Sequence, residues 1–308
     1  MPLTLQKYID LPANRAGGGF DHADIHAASK RLYVAHTAND AVDIIDCRED
    51  RYLESIDGLG GVAGVLVSEE RGLVFTSNRG EDTVSVFAPG AERERFKIKV
   101  GMRPNGLAFD PARGILLAAN VGDAAIAGSR TVSIVDLARR VRVAEIAVPG
   151  PTRWAMYDPL HKLFYVNIGA PALIIAIRAD DSPSIVREFA VPASGPHGLA
   201  LDAVSKRLLC ACDAALLVAI DATTGQVVAE VGLSGKPDVV MQDPLTSRLY
   251  VAIGDPGVID VIDTAALSRI ESIATEAGAH TFAFDPRQKT LYAFLPSSHR
   301  AMVLRDLA

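Results

Sequence analysis

The sequence is poor in cysteine, tryptophan and basic charge, and each shortage excludes something. Three cysteines in 308 residues, Cys47, Cys210 and Cys212, are too few and odd in number for a disulfide framework. Cys210-Ala211-Cys212 puts two thiols on one face of a strand without the spacing of a metal knuckle, so all three read as reduced packing residues. Asp and Glu outnumber Lys and Arg by 37 to 31, a formal charge of −6. No basic cluster is offered to a phosphate backbone, which argues against nucleic acid as a partner. The one locally charged stretch, "AERERFKIK" (91–99), alternates and reads as an outer strand facing water. No apolar run approaches the ~20 residues of a membrane span. The start, "MPLTLQKYIDLPAN", has no basic segment followed by a long apolar stretch, so neither a signal peptide nor a membrane anchor is read there and a cytoplasmic location is expected. Also missing are a Gly-x-Ser-x-Gly elbow, a phosphate-binding glycine loop, His-Glu-x-x-His and Cys-x-x-Cys-His, which disfavours serine-hydrolase, nucleotide and c-haem chemistry.

What the chain has is a repeat. Asp21, Ala63, Asn105, Arg153, His197, Asp238 and His280 are separated by 42, 42, 48, 44, 41 and 42 positions, and each opens a short apolar run, a turn and a second apolar run. The copies are plain in "RPNGLAFDPARGILLAAN" (103–120), "GPHGLALDAVSKRLLCAC" (195–212), "KPDVVMQDPLTSRLYVAI" (236–253) and "GAHTFAFDPRQKTLYAFL" (278–295). A repeat of this length made only of short strands is the signature of a β-propeller. Hydrophobic residues at 49%, with 25 glycines and 17 prolines, suit many short buried strands joined by tight turns.

Within the third repeat, "GLAFD", "ILLAAN", "TVSIVD" and "VRVAEIAV" read as strands a to d, counted from the channel outward. Asp110, Asp158, Asp202, Asp243 and Asp285 recur after strand a, where an aspartate side chain caps the turn. Asp46, Asp136, Asp221, Asp263 and Asp306 end strand c and receive the same reading. The long third spacing is a loop, "GDAAIAGSR" (122–130), between strands b and c. The last repeat runs out of chain after strand c, whereas residues 3–12 alternate like a strand and precede the first repeat. We therefore expect an all-β fold, a single domain over 1–308 with seven four-stranded antiparallel blades, the N-terminal strand closing the last one so that no sheet edge is left open.

"TVSIVDLARRVRVAEIAVPGPTRWAMYDPLHKLFYVN" (131–167), "LYVA" at 32–35 and 249–252, and "VIDVIDTAAL" (258–267) resemble the YVTN family of seven-bladed propellers over essentially the whole chain. That resemblance implies the fold and little chemistry, because one fold hosts many functions.

The loops entering strand a and leaving strand b share one face of the disk. Two rings of residues are thus expected around one mouth of the central channel: the seven repeat-opening residues and, fifteen positions later, His36, Asn78, Asn120, Ile168, Cys212, Ile253 and Leu295. Imidazole and carboxylate are ligands for divalent metals such as Ca, Mg, Mn or Zn and can also relay protons, so Asp21, Asn105, His197, Asp238 and His280 form an expected metal set, and His197, His280, Arg153 and His36 an expected catalytic set. A hydrated polar channel with no catalytic duty is the plainer alternative, as is an ion bridge from Arg153 to Asp238 or Asp21. Of the other histidines, His22, His26, His161 and His299 read as packing or surface residues, with His22 the first exception. Arg103-Pro104-Asn105-Gly106-Leu107 and Pro237-Asp238 are similar to metal-ligand motifs of gluconolactonase-type (SMP-30-like) propellers, and Pro196-His197-Gly198-Leu199 to the streptogramin lyases. The first family has six blades, a glutamate where Asp21 stands, and Gly where this chain has Val239. These resemblances imply a metal-assisted hydrolase or lyase acting on a lactone or related ester, with Arg153 holding a substrate carboxylate. The alternative is a non-catalytic propeller that binds a ligand or protein partner at the same mouth.

Overall fold

The computed structural model describes residues 3–307. Seven four-stranded antiparallel sheets follow one another along the chain, and in six of them the strand order is the sequence order. The seventh is completed from the other end: Leu3–Asp10 pairs antiparallel with Arg300–Asp306, from Leu3 opposite Asp306 to Asp10 opposite Arg300, with a bulge between Leu5 and Lys7. Leu3 and Ile9 are buried while Leu5 and Tyr8 are exposed, so the alternation that marked residues 3–12 as a strand seats its apolar side chains against the blade.

Burial explains why the strands read differently. Strands b and c, for example Ile115–Asn120 and Thr131–Asp136, are buried over nearly their whole length because each sheet is covered by a neighbour on both faces. The outermost strand Val141–Ala147 is mostly exposed. The apolar core is correspondingly divided into seven clusters, one between each pair of adjacent blades; one joins Phe20 and Leu32 of blade 1 to Ile9, Tyr292, Phe294 and Val303 of blade 7 across the closure.

Buried tyrosine hydroxyls pin neighbouring blades through acids. Tyr33 of blade 1 donates to Glu92 of blade 2 (2.9 Å), Tyr292 of blade 7 to Asp50 of blade 1 (2.7 Å), and Tyr250 of blade 6 to Asp306 of blade 7. Asp306 also takes Arg248 at 2.6 Å, so it anchors blade 6 to blade 7. The capping aspartates after strand a behave as read: Asp110, Asp158, Asp202, Asp243 and Asp285 each accept from the main-chain N–H two residues on, at 2.9–3.1 Å. The charged stretch 91–99 departs from expectation. Its first half is a turn of 3₁₀ helix, Glu92–Glu94, because the Glu92 carboxylate is drawn in to Tyr33 and to Arg31 (2.7 Å), and only Phe96–Lys99 is strand.

Candidate functional site

The innermost strands set the site. In blades 2 to 6 they are Val62–Ser68, Pro104–Asp110, Thr152–Asp158, Pro196–Asp202 and Pro237–Asp243, and the repeat-opening residue is the second of each. In blades 1 and 7 it lies two residues before Ala23–His26 and Phe282–Asp285. Just after this position the pairing of strand a with strand b slips by a bulge in blades 2 to 6, which frees the second residue from the ladder. Glycine follows it in three blades for a steric reason. A Cβ at Gly64, Gly106 or Gly198 would collide with the main-chain oxygen of Asn105, Arg153 or Asp238 in the next blade. Packing with the next blade therefore accounts for the glycine of each Asn-Gly and His-Gly pair, and not for the asparagine or the histidine.

Two charged arcs form at the mouth. On blades 5 to 7, the His197 ring is clamped between carboxylates, Nδ1 at 2.8 Å from Asp213 Oδ1 and Nε2 at 3.2 Å from Asp238 Oδ1. His280 Nε2 lies 3.8 Å from the other oxygen of Asp238, and Lys236 lies 3.2 Å from Asp213. On blades 1 to 3, Arg79 reaches Asp21 at 3.5 Å and donates to Asn105 Oδ1 at 2.5 Å. Arg153, on blade 4, stands between the arcs. It is half-buried and makes no ion pair with Asp21, Asp238 or any other described residue.

Burial disfavours the charged form of His197, but the hydrogen bonds to Asp213 and Asp238 outweigh it and lift its pKa to about 9. Burial likewise pushes the Asp238 carboxyl up, yet the hydrogen bond to His197 and the charges of His197 and His280 hold it well below the usual carboxylate range. At neutral pH, His197 is thus an imidazolium with both nitrogens committed. Below the ring, His22 of blade 1 packs against Trp154 of blade 4 with ring centroids 4.6 Å apart, placing two rings across the bore. Burial lowers the His22 pKa against the pull of Asp21 and Asp238, leaving that imidazole neutral.

The second expected ring is not at the mouth. His36 is fully buried inside blade 1, where Nδ1 meets Asp43 at 2.7 Å, Nε2 meets Asn14 Oδ1 at 2.9 Å, and the ring packs on Phe20. Asn78 and Asn120 donate sideways to Thr83 and Ser85 and to Thr131 and Ser133 on strand c. Ile168, Cys212, Ile253 and Leu295 are in the cores between blades. The correction is one register position. Side chains alternate along a strand, so the residue at offset fifteen faces its neighbouring strands and blade, and the next one turns over the mouth. That next position holds Arg79 and Asp213, which the repeat arithmetic passed over, and Gly169 and Gly254, where a Cβ would meet Arg153 and His280.

The expected metal donors are placed around the mouth, but they bind one another. Among the described residues no group of three or more His, Cys, Asp or Glu side chains is disposed to hold a metal ion. His197 is bonded at both ring nitrogens, Asn105 Oδ1 accepts from Arg79, and Asp21 faces Arg79 and the main-chain N–H of His22. The three thiols are free and buried, with Cys210 and Cys212 sulfurs 3.8 Å apart. Among the described residues no helix is long and apolar enough to cross a membrane.

No protein-family model and no curated protein sequence matches the chain. Solved structures do. A chain of the Kuenenia stuttgartiensis hydrazine synthase is similar with a TM-score of 0.78 and 16% identity, over 96% of this chain and 97% of that one. A chain of a mitotic checkpoint complex is similar with a TM-score of 0.81 and 13% identity, over 99% of this chain and 92% of that one. At such identities the likeness is one of fold: this chain is a seven-bladed β-propeller.

Proposed function

We propose that this propeller binds a small organic anion in the cup at the channel mouth, with Arg153 as the principal anchor. The observation that carries the reading is the uncompensated guanidinium. Asp21 with Arg79, and Asp213 and Asp238 with His197 and Lys236, largely neutralise themselves, whereas Arg153 is half-buried without a carboxylate partner. Burying an unpaired charge is costly, and a ligand carboxylate would supply the missing partner with bidentate geometry. The imidazolium of His197 lies close enough to Arg153 to feel its charge, which places a second fixed cation beside the same space.

A screen of thermal stabilisation with benzoate, glutarate and their neutral amides tests this, because a ligand that binds only the folded state raises the melting temperature with its concentration. Carboxylates should stabilise the protein, the amides should not, and Arg153→Gln should weaken carboxylate binding at least tenfold. Equal effects of amide and acid, or full binding by Arg153→Gln, would overturn it.

One observation favours a second reading, hydrolysis or lysis of a lactone or ester. His280 Nδ1–H donates to the Gly278 carbonyl at 2.8 Å, which fixes the ring and leaves Nε2 turned to Asp238. His280 could then move a proton to or from water while Arg153 and His197 steady the developing oxyanion. Turnover of simple esters or γ-lactones that disappears in His280→Ala would establish this reading over binding alone.

A further inference from the structure

The far end of the channel holds a second compartment that the mouth does not use. It is a cavity of about 510 Å³, within the range of small-molecule sites, lined where strands a of blades 1 to 4 end and by Met241 of blade 6. An inner strand of seven residues carries the chain ~20 Å, so this opening lies on the opposite face of the disk from Arg153 and His197. His22 and Trp154 lie between the two compartments.

Its chemistry is one-sided. Leu107, Phe109, Trp154, Met156, Tyr157 and Met241 give it an apolar, aromatic and thioether wall. The charged lining groups are all carboxylates, Asp24, Glu69 and Glu70; no Lys or Arg is among them, and His22 is held neutral. Glu69 is partly satisfied by the main-chain N–H groups of Ala27 and Ala28 (both 2.8 Å) and by His26 at 3.7 Å. Arg71, on the neighbouring turn, is held by the carbonyls of Pro111 and Ala112. Asp24 accepts only from the main-chain N–H groups of Ile25 (2.8 Å) and Val67 (2.7 Å), with no cation within 4 Å. Burial outweighs those hydrogen bonds and raises its pKa to about 6, so at neutral pH an ionised carboxylate sits there at a cost that a nearby cation would relieve.

We propose that this vestibule is a binding site for a hydrophobic organic amine, its ammonium group on Asp24 and its apolar body against Trp154, Phe109 and the methionines. Aromatic faces and thioethers suit such a ligand, since ring quadrupoles attract cations and methionine fits irregular apolar shapes. The site is independent of the anion cup, having a different opening, opposite charge and no shared anchor.

The test is calorimetric titration of the full chain with three probes of similar body: 2-phenylethylamine, 2-phenylethanol and 3-phenylpropanoate. The amine should bind at least tenfold more tightly than the alcohol, and the carboxylate should not bind in this cavity. Asp24→Asn should bring the amine down to the alcohol's affinity. Val67→Phe, which narrows the cavity while keeping the main-chain N–H that donates to Asp24, should weaken both. The chain's one tryptophan lines the cavity, so its fluorescence should change with the same midpoint. If Asp24→Asn fails to fold, the amine-to-alcohol ratio in the wild-type protein and its decline with salt still decide the matter. Equal affinity for amine and alcohol, or amine binding unaltered in a folded Asp24→Asn or Val67→Phe protein, would overturn the proposal.

Discussion

His197 is the residue on which the electrostatics of the mouth turn. Its folded pKa of about 9 lies above the ordinary imidazole value of 6.5, so the stabilisation from its two carboxylates is fully present below pH 6.5 and is lost as pH rises through 9. With ~1.4 kcal/mol per pKa unit, that amounts to roughly 3 kcal/mol as an upper figure. Urea unfolding at pH 6 and pH 9.5 should show the loss, and Asp213→Asn should shrink it by removing the 2.8 Å partner. His36 offers the contrast. The His36–Asp43 pair is fully buried, so His36→Ala should destabilise by ~3–5 kcal/mol, an effect read from the denaturation midpoint, while any protein that remains folded keeps its anion affinity. The repeat arithmetic located His197, Asp238, Arg153 and His280 at the mouth because each opens a blade. It misplaced His36 and passed over Asp213 and Arg79 because a one-residue step along a strand reverses the side chain, and a list of spacings does not reveal which parity faces the channel.

At the scale of the element, the closing strand and the interblade pins carry the ring. Removing the first twelve residues takes away the partner of Arg300–Asp306 and exposes a sheet edge with Met302 and Leu304 beneath it. The truncated protein should melt well below the full chain and associate through that edge, as light scattering would report; a monodisperse protein with an unchanged melting point would contradict the closure's role. Tyr292→Phe removes only the hydroxyl that meets Asp50 across the same seam and should cost about 1–2 kcal/mol in denaturant unfolding. These strands were legible in the sequence because alternation and the count of apolar runs survive without side-chain detail. Asp306 was not, since its role is set by Arg248 and Tyr250, some 56 to 58 positions away in the chain, and by no local pattern. The turn at Glu92–Glu94 was hidden for the same reason, its carboxylate being recruited by Tyr33 and Arg31 of another blade.

At the scale of the molecule, seven near-equivalent blades bring unlike residues to one point, and asymmetry there is where function can reside. The inner position holds two acids, two histidines, an amide, a guanidinium and one alanine, and the structure joins them with Arg79, Asp213 and Lys236 into a cup closed from below by His22 and Trp154. The expected donor set is mutually paired in this structure, a pairing that residue identity does not reveal because carboxylate and imidazole serve as ligands and as ion-pair partners alike. The central claim is that the cup is one electrostatic unit poised for an anion. Nitrogen-15 NMR of histidine-labelled protein measures it most directly, by following the His197 imidazole through pH in the presence and absence of benzoate. The account predicts that His197 titrates near 9, with benzoate shifting its resonances in the wild-type protein and not in Arg153→Gln. A His197 that titrates at or below 6.5, or resonances that ignore benzoate at saturating concentration, would contradict it.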